Sequence, residues 1–272
     1  MGMVYINCYR YYGIIDDMKY KLLFIDTETT GNTAEDILCQ ISFKYLDQPY
    51  DEIFDELYNP GKPIPPEASA VHHISNAMIA DKPTFQQSDT YEIVKQTIEN
   101  TDTIFIAHNA PFDIAMLVKE NINAPTYTID TLRVARHMDP DGTLPRYNLQ
   151  YIRYALNLDD DIDVPVSAHD AKGDIIVLEQ LFKRLWVKVQ QTFTIDADTA
   201  IEKMIEQSNT PVAFITFTFG KHIGKQIVDV ATSDPGYLKW LLAQKQSSDQ
   251  NEEDWIYTLE SALGIAPQQK LL

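Results

Sequence analysis

Apolar order along the chain begins at Lys21. Lys21-Leu22-Leu23-Phe24-Ile25 is a short apolar run of the kind a buried strand makes, and Gly31 allows a sharp turn soon after it. Residues 37–46 alternate, with Ile41, Phe43 and Tyr45 against Gln40, Ser42 and Lys44, which predicts a strand with one face exposed. A third strand is expected over 52–58, stopped by Asn59-Pro60-Gly61, so the three give an antiparallel start. Pro63, Pro65 and Pro66 open a connecting segment that holds His72-His73. Tyr91, Val94 and Ile98 share a face of a helix predicted over 88–99. Residues 103–107 read as a short buried strand leading into a helix with Ile114, Leu117 and Val118 toward a core. A strand over 127–129 precedes a helix over 132–137. Leu149, Ile152 and Leu156 mark another helix, and Ile175, Leu178, Phe182, Leu185 and Val189 a long one.

The character changes near residue 192. A helix is expected over 196–207, a break at Asn209-Thr210-Pro211 and a strand over 212–219. The strand runs into Gly220-Lys221-His222-Ile223-Gly224-Lys225, a glycine-punctuated basic loop whose lysines and histidine could either touch a phosphate backbone or serve packing. Asp234-Pro235-Gly236 caps a helix over 237–242, residues 247–254 read as a polar loop, and 255–263 as a final helix. Residues 1–17 show no period and read as a loose extension or an extra edge strand. The expected division is an extension over 1–19, a main domain over 20–190, a connecting helix over 191–210 and a small module over 211–272.

With 272 residues, 44% hydrophobic and 23% charged, the chain has an ordinary globular profile. No apolar run approaches about 18 residues, so no membrane span is expected, and the N-terminus lacks a signal pattern. Cys8 and Cys39 have no metal-type spacing and suit free thiols in a reducing, cytoplasmic setting. The net charge of −18 argues against a long electrostatic grip on a nucleic acid. A local exception is Arg133, Arg136, Arg146 and Arg153 against Asp139 and Asp141, either a phosphate-facing patch or a solvated helix face. Asp159-Asp160-Asp161 reads as a solvated acidic loop.

The candidate chemistry lies in carboxylates. If the first strand continues through Asp26-Thr27-Glu28, Asp26 and Glu28 project side by side and repel unless a cation sits between them. A divalent metal is the simplest answer, the plainer one being a strand that ends in an acidic turn. Asp113 follows the strand at 103–107, in the first turn of a helix that Asn109 can cap and Pro111 can open. Asp174 lies about one turn into the long helix, with His169 just before it. Two divalent ions about 4 Å apart need about this many oxygen ligands. His169, with an ordinary pKa of about 6.5, could take a proton from water near neutral pH.

FIDTETTG, HNAPFD and HDAKGD, with histidine five residues before the last aspartate, resemble the three motifs of the DEDDh 3′–5′ exonuclease superfamily. FTFGKHIGKQIVDV, DPGYLKWLL and DWIYTLESAL are similar to the small module that ends exonuclease X-like proteins. The resemblance implies a ribonuclease H-like fold, an α/β architecture with a mixed five-stranded sheet flanked by helices, followed by a small α+β module. It implies metal ligation by Asp26, Glu28 and Asp174, with Asp113 acting closely or through water, and two Mg²⁺ or Mn²⁺ ions. His169 would be the general base, and Thr29, His72, Asn109 and Phe112 would line the pocket for a terminal nucleotide. The expected partner is DNA with a free 3′ end, single-stranded first of all, hydrolysed to 5′-mononucleotides in repair or replication. An exoribonuclease or a non-catalytic interaction module on the same fold are the alternatives, and a homodimer or a replication or repair partner stays open.

Overall fold

The computed structural model describes residues 19–33, 35–46, 48–162, 171–248 and 252–265. Residues 1–18, nearly all of the extension expected over 1–19 and including Cys8, lie outside the described residues, as does His169.

Five strands form one sheet: β1 (Lys21–Thr29), β2 (Leu38–Tyr45), β3 (Phe54–Leu57), β4 (Thr103–Ala107) and β5 (Tyr127–Asp130). Their order is β3-β2-β1-β4-β5, antiparallel from β1 to β3 and parallel from β1 through β4 to β5. The helices are α1 (Pro66–His72), α2 (Asn76–Ile79), α3 (Tyr91–Ile98), α4 (Ala110–Lys119), α5 (Thr131–His137), α6 (Leu149–Ala155), α7 (Ala171–Phe193), α8 (Ala197–Ser208), α9 (Ile227–Ser233), α10 (Pro235–Gln246) and α11 (Glu253–Ala262).

Alternation along β1 divides the core. Leu22 and Phe24 join Ile104, Ile106 and Ile129 in a cluster with α5, α6, α7 and α8. Leu23 and Ile25 face the other way, toward Val94 and Ile98 of α3 and Leu117 of α4. The central strands are therefore covered on both sides, as parallel strands usually are.

Three expectations change. The strand β2 is not half-exposed: Gln40, Ser42 and Lys44 are all buried. Their face lies under α7, where Lys44 Nζ meets Glu179 at 2.6 Å, while Gln40 and Ser42 bond Asp55. The helix expected as a connector, α8, puts Ala200, Ile201 and Met204 into the sheet's core, and its Ser208 hydroxyl accepts the Asp130 backbone N–H. The C-terminal module, expected as α+β, is helical among the described residues, with one isolated bridge, Thr216 to Gln226. The returning limb reaches α9 at Ile227 too soon for a ladder to form.

The module docks through a carboxylate of the stretch that the sequence predicts to be a polar loop. Asp254, in the first turn of α11, is buried, accepting from Arg136 at 2.6 Å and from the Val212 N–H at 2.9 Å. Arg133, also buried, reaches Glu253 and the Ser208 carbonyl. Arg153 pairs with Asp159, and Arg184 with Asp161. The basic residues at 133, 136 and 153 thus form neither a phosphate-facing patch nor a solvated face, and the triple-aspartate segment is tied down.

Candidate metal centre

β1 and α7 build the site between them. Asp26 and Glu28 continue the alternation of Leu22 and Phe24, so they leave the sheet on the α7 side. Asp174 comes from the first turn of α7, where the helix N-terminus favours a negative charge. The three half-buried carboxylates each offer an oxygen, and those oxygens lie within 4.8 Å of one another. Hard oxygen donors at such separations fit a divalent cation. The β1–β2 register shifts between Glu28 and Thr29, a bulge at the edge of the site.

The turn after β1 is held by one acid. Asp36 accepts from the Thr30 hydroxyl at 2.7 Å and from the Thr33 N–H at 2.9 Å, bonds that lower its pKa. Gly31 has φ 156°, and a Cβ there would sit 2.6 Å from the Asp36 carboxylate, so glycine is required.

Asp113 is placed differently from the other three. Pairing between β1 and β4 ends at Phe24 and Ile106. Beyond that point Asp113 takes the Thr27 N–H at 3.0 Å and the Thr27 hydroxyl at 2.7 Å, filling the place β4 has vacated. Burial pushes its carboxyl up to about 7, against the opposing effect of both Thr27 bonds. It approaches β1 from the α4 layer and is outside the oxygen trio.

Among the pocket residues, Thr29 donates to the Gly31 carbonyl at 2.5 Å. His72 ends α1, buried, with Nδ1 accepting the Ile74 N–H at 3.0 Å and Nε2 buried without a hydrogen-bond partner. Burial lowers its pKa, opposed by the neighbouring Thr29 backbone. Asn109 adopts φ 74°, and its side chain makes no cap bond; its N–H donates to Asp130 at 2.9 Å, so Asp130 rather than an Asn109 cap supports this turn. Phe112 is half-buried in the first turn of α4. His108 is structural, between the Thr131 hydroxyl and the Tyr147 carbonyl.

The pattern of residues gave no sign of Gln150. Its Nε2 donates to Asp174 Oδ1 from α6, and its Oε1 accepts from Arg153. Glutamine on a short helix has no spacing signal, so only the packing of α6 on α7 reveals it. Cys39 is buried beside Glu28, and burial pushes its thiol up to about 12, so it is inert.

A mixed sheet of this order, with carboxylates at the end of its first strand and on the helix facing it, is that of a ribonuclease H-like nuclease. The chain belongs to the exonuclease family, whose profile matches residues 23–182. An exodeoxyribonuclease X-like C-terminal profile matches residues 217–246. Exodeoxyribonuclease 10 of Escherichia coli (strain K12) is 30% identical over 224 residues, 81% of this chain and 90% of that protein. The DNA polymerase III subunit epsilon of Treponema pallidum is 31% identical over 166 residues, covering 58% of this chain and 72% of its own. A solved structure of exonuclease X in complex with 5′ overhanging duplex DNA superposes with a TM-score of 0.51 at 25% identity, over 69% of this chain and 99% of that one. No helix among the described residues is long and apolar enough to cross a membrane.

Proposed function

We propose that this exonuclease is a metal-dependent 3′–5′ exodeoxyribonuclease that releases 5′-mononucleotides from single-stranded 3′ ends. The observation that carries the reading is the trio of carboxylate oxygens from Asp26, Glu28 and Asp174 within 4.8 Å. These residues would hold two Mg²⁺ or Mn²⁺ ions, with Asp113 completing the set directly or through water. When bound, such a pair supplies an activated water and stabilises the entering and leaving oxygens of an in-line displacement.

The chain's own residues do the rest. His169 is the candidate for the water's proton, by its place in the third motif. With Nδ1 accepting the Ile74 N–H, His72 Nε2 carries the ring proton beside the Thr29 backbone and is suited to donate a hydrogen bond to the substrate. Phe112 offers a ring against the terminal base or sugar. DNA is favoured as substrate by the likeness to exodeoxyribonuclease 10 and by the C-terminal profile. A cytoplasmic setting, in repair or replication, belongs to the same reading by likeness to the bacterial exodeoxyribonuclease 10.

The test uses a 5′-labelled DNA oligonucleotide and its RNA counterpart with Mg²⁺, Mn²⁺ or EDTA. A metal-dependent ladder shortening from the 3′ end of DNA is expected. A ladder on RNA alone would overturn the substrate, and no cleavage of either by folded protein would overturn the activity.

A further inference from the structure

The C-terminal module ends in an exposed aromatic that the carboxylate site does not use. Trp240 on α10 is 56% exposed, although a tryptophan gains more than almost any side chain by burial. Its ring lies 5.6 Å from that of Tyr237, one turn earlier. Tyr237 in turn meets His222 at 4.7 Å and Phe217 at 5.8 Å, and Phe217 stacks on Trp255 with an interplanar angle of 14°. A line of rings therefore runs outward from the module's core and stops at an open face. The line is firmly seated: a Cβ on Gly220 would come within 2.6 Å of the Tyr237 hydroxyl, and Lys221 and His222 both bind Asp234, the N-cap of α10.

Along residues 211–248 the charge has the opposite sign to the chain as a whole, although the whole module, 211–272, holds 5 lysines against 7 aspartates and glutamates. Residues 211–248 hold Lys221, Lys225, Lys239 and Lys245 against Asp229 and Asp234, in a protein of net charge −18. The helix α10 has no acidic side chain. Lys221 and Lys245 are engaged with Asp234 and Glu252, but Lys225 and Lys239 meet no carboxylate among the described residues. At helical spacing around Trp240 stand Gly236, Ala243, Gln244 and Ser247, which are small or uncharged and leave the ring open.

We infer that this face of α10 binds a single-stranded segment of DNA, with a base stacked on Trp240 and phosphates at Lys239 and Lys225. The inference rests on the exodeoxyribonuclease reading and adds a second holding point on the same substrate, away from the cleaved end. An open ring on a helix that carries Lys239 and no acidic side chain suits an unpaired base with its phosphate, whereas the bases of a duplex are hidden from it. Such a foothold eases the electrostatic difficulty, because contact is confined to a stretch where lysines outnumber carboxylates.

The full-length chain in EDTA is titrated with dT20 while tryptophan fluorescence is followed. Trp186 is wholly buried and Trp255 half-buried, so quenching reports chiefly on Trp240. Trp240→Ala should abolish most of the quenching and weaken dT20 binding roughly tenfold, with Trp240→Phe restoring part of the affinity. Lys239→Ala should lower the salt slope by about 0.7. Hydrolysis of dT4 with Mg²⁺ should be unchanged in Trp240→Ala. Equal dT20 affinity for native protein and Trp240→Ala would overturn the inference. So would a shift from dimer to monomer on sedimentation without a change in affinity, which would make the face a contact between copies. Failure of native protein to hydrolyse dT4 would instead sink the nuclease reading, while quenching, which needs no turnover, decides the α10 face separately.

Discussion

Gln150→Ala should weaken metal binding without removing a metal ligand. In the native chain the Gln150 amide is oriented from both ends. Its Oε1 accepts from Arg153 Nη1 at 3.4 Å, and Arg153 is itself held by Asp159 at 2.6 Å. That leaves Nε2 to donate to Asp174 Oδ1. A hydrogen bond to a charged group contributes about 1.5–3 kcal/mol, and roughly 1.4 kcal/mol is a factor of ten. The substitution should therefore raise the half-saturating Mg²⁺ concentration about 10- to 100-fold, the range common for groups that orient a metal ligand. The rate at saturating Mg²⁺ should stay within a few-fold of native, because Asp174 itself remains. The assay is a Mg²⁺ titration of mononucleotide release from a 5′-labelled oligonucleotide, with metal binding followed by calorimetry in the absence of DNA. A half-saturating concentration within twofold of native would refute the argument that Gln150 sets the Asp174 carboxylate.

Three further outcomes are expected. His169→Ala should lose at least about 100-fold in turnover, the lower range for general-base catalysis, while metal-dependent DNA binding survives; an unchanged rate across pH 6–9 would remove His169 from the mechanism. Asp113 has a folded-state pKa raised to about 7, so the native state keeps a proton that the unfolded chain releases near its ordinary carboxylate value. Its contribution to stability is full at about pH 4 and is lost as pH rises through about 7; in EDTA, Asp113→Asn should flatten that decline in urea unfolding curves, and parallel pH profiles would contradict the assignment. Asp254→Ala leaves the Val212 N–H and the Arg136 guanidinium without their carboxylate, which should cost about 3 kcal/mol and expose the C-terminal module to proteolysis, with dT4 hydrolysis largely kept. A stability loss below about 1 kcal/mol would mean that the aromatic packing alone docks the module.

Much of this protein was legible along the chain because its signals are local. The Leu22–Ile25 run, the two-residue spacing of Asp26 and Glu28, and the α7 stripe through Ile175, Leu178, Phe182, Leu185 and Val189 each depend on the period of one element. They were enough to place β1, α7 and the three carboxylates that meet. What depends on the approach of separate elements was not legible. Lys44 reads as a solvent-facing residue until α7 brings Glu179 across β2 to meet it. Arg133 and Arg136 read as a patch for phosphate until α11 lays Glu253 and Asp254 against them. Residues 212–219 have the composition of a strand, and 215–217 do meet 225–227 in an antiparallel bridge, but α9 begins at Ile227 and the pairing stops there. Gln150 acquires its role only where α6 packs on α7. Periodicity decides which face of an element is buried; the polar partner that burial demands comes from elsewhere in the chain, and only the tertiary fold selects it.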